Sequence, residues 1–226
     1  MFVAFDSDIT SHAPEIAQGI AAGRAQRRDA RLRLRPGQIL FHQGDDARSV
    51  YHIDNGVLRL TRVTERGRQQ VIAFGYPGDI VGLPVQGLRS TDCEALTPAT
   101  LTPVPARLPT ERSGNIAEAA FLAAAALWEV GVMQEHLMTL GHKSSRERVS
   151  SFLVALMRRV GRHDDEGVHV DLPMSRSDIA DFLGLRTETV SRAFTDLRQA
   201  GLIDLPSAQH VTIVRPDLLE TFAEGD

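Results

Sequence analysis

The chain has 226 residues and a net charge of −4, with 42% hydrophobic and 24% charged residues. This composition is ordinary for a globular protein, and no apolar run approaches the roughly 18 residues that a membrane-spanning helix needs. The first ten residues, MFVAFDSDIT, carry two acidic and no basic side chains, which argues against a signal peptide and favours a cytoplasmic location.

A basic segment precedes the first predicted strands. The run PEIAQGIAA is long enough for two helical turns, and six arginines with one aspartate follow between Arg24 and Arg35. Because Leu32 and Leu34 alternate with arginines, this segment is typical of a strand with one buried and one solvated face. An arm that binds nucleic acid is the alternative.

Residues 36 to 109 carry the pattern of a small β-domain. The runs QILFH, VYHI, VLRLTRV and QQVIAF are short and rich in β-branched or aromatic residues. Turn signals separate them, among them the glycines Gly37, Gly44 and Gly56. Strands at this spacing predict a sandwich or a barrel.

Cys93 is the only cysteine of the chain. A single cysteine excludes an intrachain disulfide and a cysteine cluster that holds a metal. Carboxylates on both sides, from Asp92 and Glu94, disfavour its reactive thiolate form. We therefore expect a structural residue of the β-domain, with a redox sensor as the alternative. The eight histidines show no close ligand spacing. We therefore expect no metal site, with a haem held by His42 or His52 as the alternative.

The segment NIAEAAFLAAAALWEVGVMQEHLMTLGHK is the clearest predicted helix. Seven apolar residues in it follow the alternating four- and three-residue spacing of a coiled-coil seam: Ala119, Ala123, Ala126, Val130, Met133, Leu137 and Leu140. This stripe predicts homodimerisation. Four further apolar side chains lie off the seam and can cover the β-domain: Phe121, Leu122, Leu127 and Trp128. A seam that only covers the β-domain of its own chain is the alternative.

A second domain is predicted after Lys143. SSRERVSSFLVALMRRV is an amphipathic helix, GRHDDEG is a polar turn and VHVDLP is a short strand. The apolar face of that helix consists of Val149, Phe152, Leu153, Leu156 and Met157. The predicted boundaries therefore separate an N-terminal helix and β-domain (residues 1–114), a dimerisation helix (115–142) and this domain (143–226).

The segment MSRSDIADFLGLRTETVSRAFTDLRQA predicts two short helices joined by a glycine-containing turn, a helix-turn-helix. Ser175 or Ser177 can cap the first helix, which ends at Gly184. Thr187 can cap the second helix, which runs to about Ala200. The side chains expected to be buried are Ile179, Ala180, Phe182 and Leu183 in the first helix and Val190, Phe194 and Leu197 in the second.

The outward face of the second helix carries four polar residues at positions i, i+3, i+4 and i+7: Glu188, Ser191, Arg192 and Thr195. The N-terminal part of such a helix reaches base edges in the major groove of DNA. Arginine donates two hydrogen bonds to guanine, and glutamate accepts one from cytosine or adenine. Glu188, Ser191 and Arg192 are therefore the predicted base contacts. An exposed helix with an intrahelical ion pair would show the same pattern.

The segment GLIDLPSAQHVTIV predicts a β-hairpin directly after this helix, which makes the domain a winged helix. The predicted phosphate contacts are Ser175, Arg176, Thr187, Thr189 and His210, with Gln209 as an alternative at the wing. From residue 143 onward 11 Lys+Arg stand against 14 Asp+Glu. DNA binding must therefore depend on where the charges lie rather than on their sum.

These segments together resemble the Crp/Fnr family of transcription regulators over almost the whole chain. PGQILFHQGDDARSVYHIDNGVLRL is similar to the family's cyclic-nucleotide-type β-roll, and MSRSDIADFLGLRTETVSRAFTDLRQAGLI is similar to its DNA-binding signature. The resemblance implies an α+β fold with an N-terminal β-roll, a long dimerisation helix and a C-terminal winged helix-turn-helix. It also implies a homodimer on palindromic double-stranded DNA that contacts RNA polymerase through residues 79–88.

The recognition-helix run TETVSR resembles the FixK branch of this family in particular. The resemblance implies an activator that binds a TTGAT-type half-site in microoxic or respiratory gene control. Fnr proteins bind an iron–sulfur cluster through four cysteines, which a chain with one cysteine cannot do. The resemblance therefore implies a regulator without a bound cofactor.

One segment of the β-domain departs from the pattern of cyclic-AMP binders. In GDIVGLPVQGLRST, Leu83 stands where those proteins have a glutamate, so a ribose hydroxyl would lose its acceptor. Arg89 and Ser90 remain, and a ligand-gated regulator with a small anionic effector near them is the alternative function. An enzyme is not indicated, because the sequence has no phosphate-binding glycine loop and no nucleophile elbow.

Overall fold

The computed structural model describes residues 31–106 and 116–225 of the chain. The predicted N-terminal helix and the arginines before Arg31 lie outside these residues. The described residues divide into two compact units, one that ends at Val132 and one that begins at Met133. The sequence predicts boundaries after residues 114 and 142, whereas the structure places one division within the long helix.

Two antiparallel sheets form the first unit. Its strands are β1 (Leu32–Leu34), β2 (Ile39–Phe41), β3 (Ser49–Asn55), β4 (Leu58–Val63), β5 (Gln69–Gly75), β6 (Ile80–Val81), β7 (Asp92–Ala95) and β8 (Ala99–Pro105). The sheet orders are β1-β8-β3-β6 and β2-β7-β4-β5. The four predicted strand runs correspond to β2 to β5. Sequence patterns alone did not mark β6, β7 and β8. The two residues of β6 are too few to show a period, and acidic residues in β7 and prolines in β8 are uncommon in strands.

Side chains from both sheets form the core of this unit. Among them, Val50, Ile53, Leu58, Phe74 and Leu101 are fully buried. Gly56 has φ +93°, and a Cβ there would lie 2.6 Å from Ala99 Cα, so only glycine fits this turn. Cys93 is also fully buried, and burial raises the pKa of its thiol to about 12. This environment supports a structural role for Cys93.

The long helix α1 (Ile116–His142) begins in the first unit. Leu122 and Ala125 pack there against Val50 and Ile80, so Leu122 covers the β-domain as predicted. The same expectation is wrong for Leu127, which is 73% exposed. Five residues along a helix correspond to a rotation of about 140°, which turns this side chain away from the sheets.

Most of the predicted seam on α1 is exposed to solvent within the single chain. Ala123 and Ala126 are exposed, as are Val130, Met133 and Leu137 at 51%, 47% and 65%. The side chain of Ala119 lies outside the described part of the structure. Leu140, the last seam residue, is only partly exposed.

Among its described residues, the second unit contains four further helices and one sheet. Its elements are α2 (Ser145–Val160), β9 (Arg162–Asp164), β10 (Gly167–Asp171), α3 (Arg176–Leu183), α4 (Thr187–Gln199), β11 (Ile203–Ser207), β12 (His210–Ile213) and α5 (Pro216–Glu224). The sheet order is β11-β12-β10-β9. The predicted polar turn GRHDDEG contains β9, whose three residues are all exposed and lack the alternation that marks a strand. No helix within the described ranges is long and apolar enough to cross a membrane.

We predict that Cys93 resists alkylation in the folded protein. A thiol whose pKa is about 12 instead of 9.0 carries about a thousandfold less thiolate at neutral pH, and thiolate is the reactive form. Iodoacetamide labelling at pH 8, followed by mass spectrometry with and without urea, measures this difference. Equal labelling rates in the native and the denatured protein would contradict the buried assignment.

Candidate DNA-binding interface

The first helix of the helix-turn-helix, α3, begins at a capping box. Ser175 Oγ accepts a hydrogen bond from the Asp178 amide at 3.0 Å, and the Asp178 carboxylate accepts one from the Ser175 amide at 2.9 Å. Of the two predicted caps, Ser175 is therefore confirmed. The reciprocal partner Asp178 was not predicted, although its position three residues after the serine is a recognisable signal.

The helix α3 ends as the sequence predicts, at Gly184. This residue has φ +62°, the left-handed conformation that glycine adopts at little cost. The prediction that Thr187 caps α4 is wrong. Arg186 occupies the N-cap position with an extended backbone and no side-chain cap, and Thr187 is already the first helical residue. The turn is therefore one residue shorter than the capping preference of threonine suggests.

The two faces of α4 differ as predicted. Val190, Phe194 and Leu197 are buried, whereas the predicted base contacts Glu188, Ser191 and Arg192 are exposed.

Local contacts leave this outward face open to a partner. Ser191 Oγ donates to the Thr187 carbonyl at 3.0 Å, so its hydroxyl oxygen remains an acceptor. Within the described chain, Glu188 and Arg192 form no ion pair with each other. The alternative of a helix held by that ion pair therefore loses its support.

Arg176, a predicted phosphate contact, lies at the start of α3 and packs on the recognition helix. Its guanidinium carbon is 3.7 Å from the centroid of the Phe194 ring, and burial lowers the pKa of this arginine. Its Nη1 atom is buried and has no hydrogen-bond partner among the described residues. The aromatic ring thus orients a cation that lacks an anionic partner within the described part of the domain.

The other predicted phosphate contacts differ in exposure. Ser175 and Thr187 are exposed and Thr189 is partly buried. At the wing, Gln209 is exposed but His210 is only partly so. Exposure alone therefore favours Gln209 over His210 as a wing contact.

His210 belongs to a polar network on the wing sheet. Its Nδ1 lies 2.9 Å from Asp171 Oδ1 and its Nε2 lies 3.2 Å from His169 Nδ1. Both ring nitrogens are therefore engaged within the domain, which contradicts the prediction that His210 contacts DNA phosphate. His169 Nε2 in turn lies 2.6 Å from Asp164 Oδ2. The sequence pattern did not indicate this network, because its members lie on three different strands.

The network shifts the ionisation of both aspartates. Burial alone would raise the pKa of Asp171, but hydrogen bonds from His210 and Arg162 hold it below its ordinary value. Arg162 Nη2 donates to Asp171 Oδ2 at 2.9 Å. The close approach of His169 likewise holds the pKa of Asp164 below its ordinary value.

Arg89, predicted to line an effector pocket, is buried and hydrogen-bonded inside the β-domain. Only 5% of the residue is exposed, and its two terminal nitrogens donate to the carbonyls of Gly82 and Ser49. Its guanidinium carbon lies 4.3 Å from the centroid of the Phe41 ring and 5.4 Å from that of Tyr51. Burial lowers the pKa of Arg89. This geometry contradicts the prediction that Arg89 presents its charge to an anionic effector.

Two further residues of the segment predicted to bind an effector are Ser90 and Leu83. Ser90 is partly exposed. Leu83 is partly buried and packs against the apolar cluster that includes Val50, Ile80 and Leu122. An apolar side chain in this cluster cannot accept a hydrogen bond from a ribose hydroxyl.

Each of the two units matches a known domain family. Residues 31–107 match the cyclic nucleotide-binding domain, and residues 147–222 match the Crp-like helix-turn-helix domain. The nitrogen fixation regulation protein FixK of Rhizobium meliloti (strain 1021) is 37% identical over 187 residues, which are 83% of this chain and 84% of that protein. The chain belongs to the Crp/Fnr family. FixK of Azorhizobium caulinodans is 38% identical over 212 residues, or 88% of this chain and 84% of the relative.

The solved structure of FixK2 from Bradyrhizobium japonicum matches with a TM-score of 0.75 and 29% identity. The match covers 85% of this chain and 96% of that one. The resemblance to the FixK type is therefore confirmed, as is the α+β fold that it implies. This FixK-type protein is a DNA-binding regulator of transcription, and the relatives named here are regulators rather than enzymes.

We predict that Asp171→Asn destabilises the protein in a pH-dependent way. A carboxylate whose folded pKa is depressed adds stability above its unfolded pKa, near 3.9, and loses that contribution as pH falls through the folded value. The ion pair between Asp171 and Arg162 is largely exposed. The expected loss of unfolding free energy at pH 7 is therefore below about 1 kcal/mol.

Urea unfolding of the two proteins between pH 7 and pH 3 measures the difference, which should shrink as the wild-type carboxyl becomes protonated. The exposed Asp165 provides a control, Asp165→Asn. A difference that is constant across this pH range would contradict the assigned hydrogen bonds.

Proposed function

We propose that this FixK-type regulator is a cytoplasmic homodimer that activates transcription from TTGAT-type palindromes, in microoxic or respiratory gene control. The observation that carries the proposal is the exposed face of α4, where Glu188, Ser191 and Arg192 project from a helix whose opposite face is buried. A helix held in this way presents a fixed set of donors and acceptors to the major groove.

The chemistry of Arg192 and Glu188 supports a specific half-site. Arg192 can donate two hydrogen bonds to guanine O6 and N7. Glu188 can accept from the amino group of cytosine or adenine, and both bases occur in the half-site and its complement. Because no ion pair joins Glu188 and Arg192 within the described chain, neither side chain must break such a contact to reach a base.

Contacts to the DNA backbone are proposed for Arg176, Thr187 and Thr189, at the N-terminal ends of α3 and α4. Ser175 is not among them, because its amide and its hydroxyl both donate to the Asp178 carboxylate, at 2.9 and 2.7 Å. Helix N-termini attract anions because their amides and dipole carry partial positive charge. Arg176 adds a formal charge beside the capped end of α3. This local placement supports DNA binding by a domain whose net charge is negative.

The exposed stripe on α1 supports dimerisation. Val130, Met133 and Leu137 are each about half exposed or more, and apolar residues at this spacing favour a paired helix. A homodimer would place two recognition helices about 34 Å apart, which is one turn of duplex DNA. A palindromic operator is the DNA that matches this symmetry.

Activation is proposed to involve RNA polymerase contacts within residues 79–88, by the part of the segment that follows the buried residues Asp79, Ile80 and Val81. In this segment Val85 and Leu88 form a tight turn and are 59% and 45% exposed. Exposed apolar side chains at a loop tip are a feature of protein interaction sites.

The protein is proposed to bind DNA without a bound effector. Arg89 is occupied by carbonyls of its own chain and by aromatic rings, so no observation favours the ligand-gated alternative.

We predict that the purified protein binds a TTGAT-N4-ATCAA duplex in preference to a scrambled duplex without added ligand. Arg192→Ala should weaken binding to the specific duplex by roughly 1–3 kcal/mol per half-site, the scale of one bidentate base contact. Binding to the scrambled duplex should change little. Gel-shift titration at one fixed salt concentration measures both affinities.

Arg198→Ala is the matched control for this measurement, because Arg198 is exposed in the last turn of the same helix. It should leave the ratio of specific to scrambled binding unchanged. Equal losses on both duplexes for Arg192→Ala would refute its role as a base contact. A wild-type protein that does not distinguish the duplexes would refute the proposed half-site.

We predict that Val130→Glu converts the protein to a monomer. A carboxylate at this seam position would be buried against its symmetry mate, and burying unpaired charge is costly. Ala124→Glu, on an exposed position off the seam, adds the same charge and should leave the oligomeric state unchanged. Sedimentation velocity distinguishes the two species. A dimeric Val130→Glu protein would place the interface elsewhere.

A further inference from the structure

Arg148, in the first turn of α2, connects three segments of the second unit. Its Nε donates to the Lys143 carbonyl at 2.9 Å, Nη2 to the Leu140 carbonyl at 2.7 Å and Nη1 to the Leu183 carbonyl at 3.2 Å. The Leu140 carbonyl lies in the last turn of α1, and the Lys143 carbonyl lies just beyond this helix. The third acceptor belongs to the last residue of α3. One guanidinium therefore joins the end of the seam helix to the helix-turn-helix.

Two of the three acceptors, the carbonyls of Leu140 and Leu183, are groups that helices leave unsatisfied. The last carbonyls of a helix have no intrahelical donor and carry the negative end of the helix dipole. A cation that donates to two such ends at once satisfies both and holds them at a fixed separation. Only the planar, branched guanidinium offers three donors in this arrangement, since a lysine ammonium is a single point of attachment.

A second contact joins α1 and α3 beside Arg148. The rings of His136 and Phe182 stack with centroids 4.3 Å apart and an interplanar angle of 19°. A Cβ built on Gly184 would lie 3.6 Å from Leu140 Cδ2 and 3.7 Å from Arg148 Nη1. This packing explains why Leu140 is less exposed than the other seam residues whose side chains the structure describes. We call these contacts of Arg148, His136 and Leu140 the α1–α3 joint.

We propose that Arg148 is a positioning residue that makes the protein selective for the spacing between operator half-sites. The inference rests on the proposed function, in which two copies bind a palindrome. Each added base pair moves the second half-site by about 3.4 Å and rotates it by about 36° around the duplex. A stiff joint holds α4 in one orientation relative to the C-terminal end of α1, so only one spacing fits both copies.

The experiment compares duplexes that differ only in spacing. Gel-shift titrations use TTGAT-N4-ATCAA, the same half-sites with one base pair removed or added, and a duplex with a single half-site. The proteins are wild type, Arg148→Gln, which removes the charge, and Arg148→Lys, which retains it. Thermal unfolding of each variant is measured in parallel.

We expect both substitutions to reduce the preference for the N4 spacing by about tenfold, with single half-site affinity changed by less than about twofold. The base-contacting face of α4 is untouched, so half-site binding should survive. Arg148→Lys should not restore the preference, because the proposal depends on the branched geometry and not on the charge. If Arg148→Gln does not fold, Arg148→Lys decides the question.

Arg158→Gln is the matched control, since Arg158 lies on the same helix and pairs with Glu220 of α5 at 3.0 Å, away from the joint. It should leave the spacing preference unchanged. An unchanged preference in folded Arg148 variants, or an equal loss in Arg158→Gln, would overturn the proposal. A wild-type protein that binds none of the TTGAT duplexes would instead refute the proposed function.

Discussion

The burial of one face of α4 is the constraint on which the proposed DNA-binding interface depends. Val190, Phe194 and Leu197 lie in the core of the winged helix, and burying each such side chain contributes roughly 1.5–3 kcal/mol. Rotation of the helix would expose them, and the free energy lost would exceed what any exposed polar contact contributes. Glu188 and Arg192 therefore face outward whatever their own preferences, and their chemistry can be used for a partner.

Four arginines illustrate how burial assigns different roles to one residue type. Arg192 is exposed and has no ion pair with its helical neighbour, while Arg176 is stacked on an aromatic ring. Arg89 is buried and donates to backbone carbonyls, and Arg148 joins the ends of two helices. Only the first two are placed to meet an anionic or polar partner. A chain with a net negative charge can therefore bind DNA, because the local arrangement matters more than the total.

Local signals in the sequence were reliable where the deciding interactions are also local. The Ser175 cap and the left-handed Gly184 follow from contacts within a few residues, and both were predictable. The prediction of a Thr187 cap was wrong because the helix begins one residue earlier, with Arg186 at the N-cap position. His210 failed as a phosphate contact because its partners come from another strand. The prediction for Arg89 was wrong because its side chain donates to backbone carbonyls, one of which, that of Ser49, lies 40 residues away in the sequence.

The sequence by itself determined the class of the protein, the helix-turn-helix and the identity of the outward face of α4. Period and spacing suffice for these features, since a helix brings residues three and four apart to the same side. Only the tertiary structure decided which of the candidate groups remain available to a partner. In the tertiary structure Arg89 and His210 form hydrogen bonds within the protein. The structure also shows the contacts of Arg148. Hydrogen bonds between segments 35 or more residues apart, such as Arg148 to Leu183, leave no periodic trace in the sequence.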